Sequence, residues 1–381
     1  MLTNDQILEI RSHFPILDKK TYVYSCSQGA LSDAVQAGMT EYARSWRESA
    51  APWDEWVEQY EEIRTVFAQF IHAKPEEVAV ITSASAGINP IANSLNFNGR
   101  NQVVMGEFEF PTMGHIWLAQ EARGAQVRFL NGTNNAIPLS CYEQAIDRRT
   151  KIVPLTQVSF VNGFRSDVAA VTRLAHDSGA LVFLDGYQDC GTRPIDVHAL
   201  GVDFFVTGTL KYLLGPPGLA FLYVKEELIS DLIPPITSWF AQREIFAFNP
   251  KVLDPAPTAR RFEGGSPPIP NIYGALPALR LLCRIGLENA AAQIQKLTQA
   301  FLQGARSLRI QAKTPADSVG PLVVLQAKDA SAILNKLVDR DIVTSTRRDG
   351  VRFSFHVYNT LDDVNAALTV LEDNIEFMVR T

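Results

Sequence analysis

The 381-residue chain has no long apolar run and no long run of basic residues. A helix that spans a bilayer needs about 20 consecutive apolar residues, and nucleic-acid binding needs clustered lysine and arginine. The formal net charge is instead -6 at pH 7. The first six residues also lack the basic and then apolar pattern of a signal peptide. We therefore expect a cytoplasmic protein that contacts neither membrane nor nucleic acid.

Cysteine and histidine are too few and too scattered to predict a metal site. The four cysteines lack metal-ligand spacing, so reduced thiols are expected. The six histidines form no H-x-x-x-H or H-E-x-x-H pair, which argues against a catalytic metal. No G-x-G-x-x-G follows the early strands, and G-x-x-x-x-G-K-[ST] does not occur. Nicotinamide and P-loop nucleotide sites therefore lack their sequence fingerprints.

The hydrophobic pattern between about residues 60 and 225 predicts an α/β fold. Short apolar runs alternate there with amphipathic stretches. Because these runs are nearly continuous in apolar residues, they suit a mostly parallel sheet with helices on both faces. We predict seven strands, at residues 78–81, 102–105, 126–130, 151–155, 181–184, 203–206 and 219–224.

The rest of the chain predicts a smaller α+β C-terminal domain. The proline-rich stretch 234–270 has no sustained period and indicates a long ordered loop, a kind of segment that is often functional. A long helix, interrupted near Gly286, is predicted over 271–308. Short strands are expected at 321–325, 342–344 and 351–355, and helices at 330–338 and 361–371. We predict a large domain over 26–265 and a small domain formed by 1–25 together with 266–381.

Lys211 is the most informative residue, because it lies in a hydroxyl-rich turn closed by glycine and proline. A lone loop lysine is usually a solvated charge. Here, however, the predicted strand 181–184 ends on a carboxylate, Asp185, with Gln188 after it, and Lys211 lies in the loop after the next strand. A lysine and an aspartate in this order suit pyridoxal phosphate, which takes a lysine Schiff base and a carboxylate at its pyridinium nitrogen. A helix cap or a salt bridge is the alternative for Asp185.

Three further positions could complete such a site. Ser83 and Ser85 open a helix directly after a strand, where free N–H groups and the helix dipole favour a phosphate; an ordinary N-cap serine is the commoner outcome. Phe110 could stack on a cofactor ring or belong to the core. Arg352, in a short apolar strand, could bind a substrate carboxylate or form a structural salt bridge.

Together these segments resemble the class V aminotransferase family of fold type I pyridoxal phosphate enzymes. This family includes cysteine desulfurases, selenocysteine lyases, kynureninases and isopenicillin N epimerase-like proteins. The resemblance covers nearly the whole chain and is most specific at Asp185-Gly-Tyr-Gln188 and at residues 211–218, 261–266 and 351–360. It implies a seven-stranded, mostly parallel sheet with a smaller C-terminal domain.

The resemblance also implies a role for each candidate residue. Lys211 would form the Schiff base, Asp185 would pair with the pyridinium nitrogen, and Gln188 would contact the phenolic oxygen. Phe110 would stack on the ring, and Arg352 would bind the carboxylate of an amino-acid substrate.

A second group of residues is implied for the phosphate. Ser266 lies where family members send a hydroxyl to the phosphate of the neighbouring subunit, which implies a homodimer with shared active sites. The phosphate ligands within the subunit would be Ser83, Ala84, Ser85 and a hydroxyl from Thr207 or Thr209.

Three departures from the family pattern bear on the reaction. Desulfurases carry a cysteine just before the carboxylate-binding arginine, but residues 346–352 contain none. Phe110 stands where desulfurases often have a histidine, so Lys211 itself is expected to carry the proton chemistry. Phe160 and Leu210 replace polar residues, and Ser159 or Gln157 could supply the missing contact.

The predicted function is a pyridoxal phosphate-dependent reaction on an amino acid. We favour a lyase or desulfurase-like reaction that does not use a loop cysteine. Transamination or epimerisation is the main alternative, and a kynureninase-like hydrolysis comes third. A non-catalytic partner protein with the same fold is the alternative from another class.

Overall fold

The structure is a computed structural model that describes residues 2–317 and 319–381. In these ranges the helices are α1 (Asn4–Ser12), α2 (Asp33–Ser49), α3 (Trp53–Phe70), α4 (Ala84–Ser94), α5 (Pro111–Ala119), α6 (Leu139–Ala145), α7 (Val168–Asp177), α8 (Val197–Leu200), α9 (Glu226–Ile229), α10 (Ile269–Ile285), α11 (Leu287–Ser307), α12 (Ala330–Val338) and α13 (Leu361–Asp373). The strands are β1 (Thr21–Tyr22), β2 (Val78–Ile81), β3 (Gln102–Gly106), β4 (Gln126–Leu130), β5 (Thr150–Thr156), β6 (Leu181–Asp185), β7 (Phe204–Gly208), β8 (Ala220–Val224), β9 (Leu322–Gln326), β10 (Ile342–Val343), β11 (Ser345–Arg347) and β12 (Gly350–Ser354).

The large sheet has seven strands in the order β2-β8-β7-β6-β5-β3-β4. The pairs from β7 through β6, β5 and β3 to β4 are parallel. Only β8 runs against its neighbours β2 and β7 within this sheet. The predicted α/β fold with a mostly parallel seven-stranded sheet is confirmed.

Successive residues of these strands enter two different hydrophobic clusters, one on each face of the sheet. Phe205 packs in the cluster that contains residues of α2, α3, α7 and α10, whereas its neighbours Phe204 and Val206 pack with residues of α4 and α5. This alternation follows from the two-residue period of a strand. It explains why most of the strands are apolar throughout: both faces of the sheet are covered by helices. The edge strand β4 differs, because Gln126, Arg128 and Phe129 are exposed.

The carboxyl ends of the parallel strands bring polar side chains together at one edge of the sheet. Asp185 ends β6 and lies opposite Thr156, which ends β5. The α4 helix begins directly after β2, and the Lys211 turn connects β7 to β8. Ligands of open α/β sheets bind outside this edge, so the fold places the candidate residues where a ligand is expected.

The C-terminal region forms a second layer with its own apolar cluster. Its three-stranded antiparallel sheet has the order β11-β12-β9 and packs with α11, α12 and α13. The N-terminal segment joins this region, because β1 pairs with β10 and Arg11 forms a largely buried ion pair with Asp363 at 2.9 Å. The boundary at residue 265 stays a prediction, since α10 lies beyond it and yet packs against α2 and α3.

The C-terminal elements follow the predicted pattern with small shifts. The long helix is divided at Gly286, whose φ of 81° lies in the left-handed region that favours glycine. The short strand β11 was absent from the prediction because only three residues pair with β12. No helix in the described ranges is long and apolar enough to cross a membrane.

Candidate active site

A cavity of about 240 Å³ opens at the carboxyl edge of the large sheet. It collects residues from α4, from the ends of β5 and β6, from the start of α5 and from the Lys211 turn. Seven predicted site residues therefore come together. They are Ser83, Ala84, Ser85, Phe110, Asp185, Gln188 and Lys211.

The Lys211 side chain extends between two aromatic rings. Its Nζ atom lies 4.4 Å from the centre of the Tyr187 ring and 5.6 Å from the centre of the Phe110 ring. Burial lowers the pKa of the Lys211 amine to about 8, and the charge of Asp185 opposes this shift only in part. A lysine with such a pKa has a substantial neutral, nucleophilic fraction near neutral pH.

Two hydrogen bonds fix the turn that carries Lys211. The Thr209 hydroxyl donates to the carbonyl of Pro216 at 2.6 Å, which closes the turn on itself. The N–H of Gly29 donates to the carbonyl of Leu210 at 2.7 Å. A side chain at Gly29 would collide with the Lys211 carbonyl oxygen, so only glycine allows this close approach. The segment before α2 therefore holds the lysine in place.

Asp185 presents a buried carboxylate to the cavity. Its Oδ1 accepts a hydrogen bond from the N–H of Tyr187 at 2.8 Å. Burial raises the pKa of Asp185, while this hydrogen bond and the charge of Lys211 lower it. Because a buried carboxylate is costly without a cation, the site favours a positively charged partner for Asp185.

A second buried carboxyl, Glu109, lies beside Asp185. Its Oε1 accepts a hydrogen bond from the N–H of Thr156 at 2.8 Å, and its Oε2 has no partner among the described residues. Burial raises the pKa of Glu109 to about 8, and the charge of Asp185 adds to this shift. Glu109 is therefore mostly protonated at neutral pH.

The N-terminus of α4 offers unpaired N–H groups on another wall of the cavity. Ser83 caps the helix by accepting from the N–H of Ala86 at 3.1 Å. The N–H groups of Ala84 and Ser85 form no hydrogen bond within the described residues. Together with the helix dipole, these groups can bind an anion. The N-cap role and the anion-binding role of Ser83 are thus compatible.

Gln188 connects the cavity to the segment before α2. Its Nε2 donates to the carbonyl of Cys26 at 3.0 Å. Its Oε1 is buried and lacks a partner in the part of the chain that the structure describes. Buried polar atoms of this kind usually find a partner in a bound molecule or water.

Arg352 is 1% exposed and lies behind the cavity wall formed by Phe160. Its guanidinium donates to the Phe160 carbonyl at 3.2 Å, to the Ser27 hydroxyl at 2.6 Å and to the Ser345 hydroxyl at 3.0 Å. None of the described aspartates or glutamates forms an ion pair with it. The structural salt bridge that was the alternative for Arg352 is therefore not formed in the described residues.

Besides Arg352, three predicted residues lie outside the cavity lining. Thr207 is fully buried, and its Oγ1 has no partner among the described residues. Thr207 points to the opposite face of the sheet from Asp185, because Asp185 pairs with Val206 and side chains alternate along β7. Thr209 uses its hydroxyl within the turn. Ser266 is exposed in the loop before α10.

Comparison with known proteins decides the family. The family model for aminotransferase class-V matches residues 28–367 of this chain. The chain belongs to the class V aminotransferase family.

Relatives of this class V aminotransferase family member align over nearly its full length. The uncharacterized aminotransferase YcbU of Bacillus subtilis (strain 168) is 32% identical and covers 94% of this chain and 96% of its own. A probable cysteine desulfurase of Streptomyces coelicolor is 27% identical and covers 95% and 96%. The apo structure of a cysteine desulfurase from Thermococcus onnurineus NA1 has a TM-score of 0.88 at 25% identity, with 99% of both chains covered.

Membership of the class V aminotransferase family makes this protein a pyridoxal phosphate-dependent enzyme, a transferase or a lyase. The predicted family and cofactor are thereby confirmed. The exact reaction and the role of each residue are not given by family membership.

Several residues that line the cavity of this family member were not predicted as site residues. Thr156 could have been found from the sheet rule, since it ends the strand next to Asp185 and faces the same way. Phe160 and Leu210, named as departures, both line the cavity, whereas Gln157 and Ser159 do not. The unpredicted lining residues are Ile88, Thr112, Thr156, Val158 and Tyr187.

Proposed function

We propose that this enzyme is a lyase that acts on an amino acid, with pyridoxal phosphate bound covalently through Lys211. The main support is the buried Lys211 amine, whose pKa is lowered to about 8. This amine lines the same cavity as the Asp185 carboxylate. The two groups interact electrostatically without forming a direct ion pair among the described residues.

The polar groups of the cavity match the polar groups of pyridoxal phosphate. The free N–H groups of Ala84 and Ser85 suit the phosphate, with the Ser83 and Ser85 hydroxyls beside them. Asp185 suits the ring nitrogen, because a protonated pyridine supplies the cation that its buried carboxylate lacks. Gln188, whose buried Oε1 lacks a partner in the described residues, would contact the ring oxygen, and Phe110 would stack on the ring. Pyridoxal phosphate, when bound, stores the electrons released at the substrate α-carbon.

The phosphate contacts proposed for Thr207, Thr209 and Ser266 have weaker support within one subunit. Thr209 already donates its hydroxyl to Pro216, and Thr207 faces away from the cavity. In our proposal Thr209 therefore acts by supporting the Lys211 turn.

We propose a homodimer with shared active sites, in which the Ser266 hydroxyl would bind the phosphate of the neighbouring subunit. The exposed position of Ser266 supports this arrangement. Exposed apolar side chains of the preceding loop, including Ile233 and Phe248, would be covered by the partner. The mass in solution, measured by light scattering, tests the dimer. Activity of a mixture of inactive K211A and S266A variants would indicate sharing.

Arg352 is proposed to bind the substrate carboxylate. It is a buried guanidinium whose neighbours are hydroxyls and a carbonyl, with no described acid to neutralise it. A guanidinium in this state favours a bidentate carboxylate. Ser27 and Ser345 hold its orientation before substrate arrives.

Lys211 is proposed to move the α-proton. Phe110 and Phe160 on the cavity wall have no ionisable group, and Asp185 would be paired with the ring nitrogen of the bound cofactor. With a pKa of about 8, the Lys211 amine can accept the proton at Nζ and return it near neutral pH.

The absence of a suitable thiol favours elimination over persulfide formation. No cysteine occurs in residues 346–352, which form the β11–β12 hairpin, and none follows Cys283. Cys26 is 1% exposed and packs with Val158 and Tyr212. A leaving group would therefore depart to solvent rather than to an enzyme thiol. Transamination is the second candidate, favoured by the 32% identity to a relative named as an aminotransferase.

The test is the purified protein with its cofactor. We expect a yellow protein in which borohydride fixes the cofactor on the Lys211 peptide, seen by mass spectrometry. K211A should lose this adduct, whereas the control K225A should keep it. A protein that stays colourless after adding pyridoxal phosphate would refute the cofactor assignment.

A screen of amino acids then separates the reactions. Elimination releases a keto acid together with ammonia in the absence of any acceptor. Transamination gives a keto acid only when an acceptor keto acid is present. Loss of optical rotation without a keto acid would replace the lyase proposal with epimerisation.

A further inference from the structure

A second arginine, Arg347, lies on the same face of the small-domain hairpin as Arg352. In the antiparallel β11–β12 pair, Ser345 pairs with Arg352 and Arg347 pairs with Gly350. Paired residues share a face, and residues two apart along a strand share it too. The 3.0 Å hydrogen bond from Arg352 to the Ser345 hydroxyl confirms this face. Arg347 therefore lies on the same face of the hairpin as Arg352. Unlike the buried Arg352, the Arg347 side chain is exposed to solvent.

Arg347 has no acidic partner in the described part of the chain. Its only side-chain hydrogen bond goes to the carbonyl of Thr346, at 2.8 Å. Asp349, the nearest acid in the hairpin turn, instead pairs with Lys313 and accepts from Gln326. The carboxylate that could neutralise Arg347 is thus already engaged on the other side of the turn.

Both guanidiniums act electrostatically on the Lys211 amine. The charges of Arg352 and Arg347 each lower the pKa of Lys211, after the larger effect of burial. The pKa of Arg347 is itself lowered, first by burial and then by the charge of Arg352. Like charges held together without an acid destabilise the protein unless an anion binds between them.

We propose that Arg347 binds a second acidic group of the substrate, so that the enzyme prefers amino acids with an anionic side chain. Arg352 would take the α-carboxylate and Arg347 the side-chain acid. This inference rests on the proposed function, because it assumes that amino acids react at Lys211. An amino acid with a neutral side chain would leave the Arg347 charge uncompensated, so the enzyme should prefer an acidic side chain to a neutral one.

The chain offers a matched control in the next residue. Arg348 is also exposed and belongs to the same turn. Its charge is not among the main causes of the pKa shifts of Lys211 and Arg347. R347Q and R348Q therefore remove the same charge from adjacent positions, one on the Arg352 face and one outside it.

The experiment compares isosteric acids and amides on the enzyme with its cofactor. The ratio of kcat/KM for L-aspartate over L-asparagine, and for L-glutamate over L-glutamine, is measured for wild type and both variants. We expect R347Q to reduce one of these ratios by at least about tenfold, the usual effect of losing a hydrogen-bonded charge pair. R348Q should keep the wild-type ratio.

A binding measurement gives an independent readout. The dissociation constants of succinate and its monoamide succinamate are measured by calorimetry on the same proteins. Succinate should bind more tightly to wild type and to R348Q, and R347Q should lose this difference. Equal ratios in wild type and R347Q, together with equal binding of the two ligands, would overturn the inference. A protein that carries no cofactor but still prefers succinate through Arg347 would refute the proposed function and leave the anion site standing.

Discussion

The lowered pKa of Lys211 gives the sharpest prediction, because it is a property of the protein before any cofactor arrives. Burial disfavours the charged amine and lowers the pKa to about 8, while Asp185 favours the charged amine and raises the pKa. Replacing Asp185 with asparagine removes the favourable charge but leaves the burial. We therefore expect D185N to lower the pKa of Lys211 below the wild-type value.

The magnitude follows from the titration curve. At pH 7.5 a group with a pKa of about 8 is about one quarter neutral, whereas a lysine in a model peptide with a pKa of about 10.4 is about one thousandth neutral. The neutral fraction of Lys211 is thus roughly two-hundred-fold larger than that of an ordinary lysine. Because only the neutral amine is nucleophilic, Lys211 should react with aldehydes and acylating reagents faster by about the same factor.

The assay is competitive labelling of the cofactor-free protein with trace acetic anhydride between pH 6 and 11. Mass spectrometry follows the Lys211 peptide relative to the exposed Lys336 in the same digest. The Lys211 midpoint should lie near 8 in wild type and lower in D185N, and the exposed control D177N should match wild type. A wild-type midpoint at 10 or above, or an upward shift in D185N, would refute the electrostatic account.

Three further predictions concern the frame of the site. G29A should destabilise the protein by about 1–3 kcal/mol and weaken cofactor retention, because its methyl group meets the Lys211 carbonyl; G264A, which meets nothing within 4 Å, is the control in chemical denaturation. E263Q should reduce the free energy of unfolding by about 3–5 kcal/mol, since it breaks the buried pair with Arg64; the control E226Q, which removes the exposed partner of Lys74, should leave it nearly unchanged. For Glu109, whose folded pKa is raised to about 8, the folded state keeps a proton that the unfolded state loses above about pH 4.3, so stability falls as the pH rises between these values. E109Q should remove this part of the pH dependence of unfolding, whereas the control E121Q, at an exposed position, should keep it. The same pH profile in E109Q and E121Q would contradict the raised pKa of Glu109.

Much of the fold could be predicted because most strands of the large sheet are apolar on both faces; the edge strand β4, with exposed Gln126 and Arg128, is the exception. The same rule located the site, since Asp185 and the Ser83 turn both follow predicted strands. What the pattern could not supply is the register between strands. Thr207 and Thr156 show this: both are threonines near strand ends, yet the pairing of β6 turns Thr156 toward Asp185 and leaves Thr207 on the opposite face.

The part of the site built by the small domain was also beyond the sequence pattern. Arg352 was predicted from its apolar strand, but its partners Ser27 and Ser345 lie 325 and 7 residues away. The three-residue strand β11, which aligns Arg347 with Arg352, is too short to show a period. Only the hairpin register reveals that the two arginines share a face.

The distribution of charge between the domains explains why this register matters. Asp185 and Lys211 are fixed to the large sheet, where burial shifts both of their pKa values toward the neutral forms. The cations that would bind the substrate, Arg347 and Arg352, come instead from the β11–β12 hairpin of the small domain. A substrate acid held by the hairpin would neutralise the charges that lower the pKa of Lys211, and that pKa would rise. Binding of an acidic substrate should therefore make the Lys211 amine a stronger base at the moment when it has a proton to remove, which a neutral amino acid would achieve less fully.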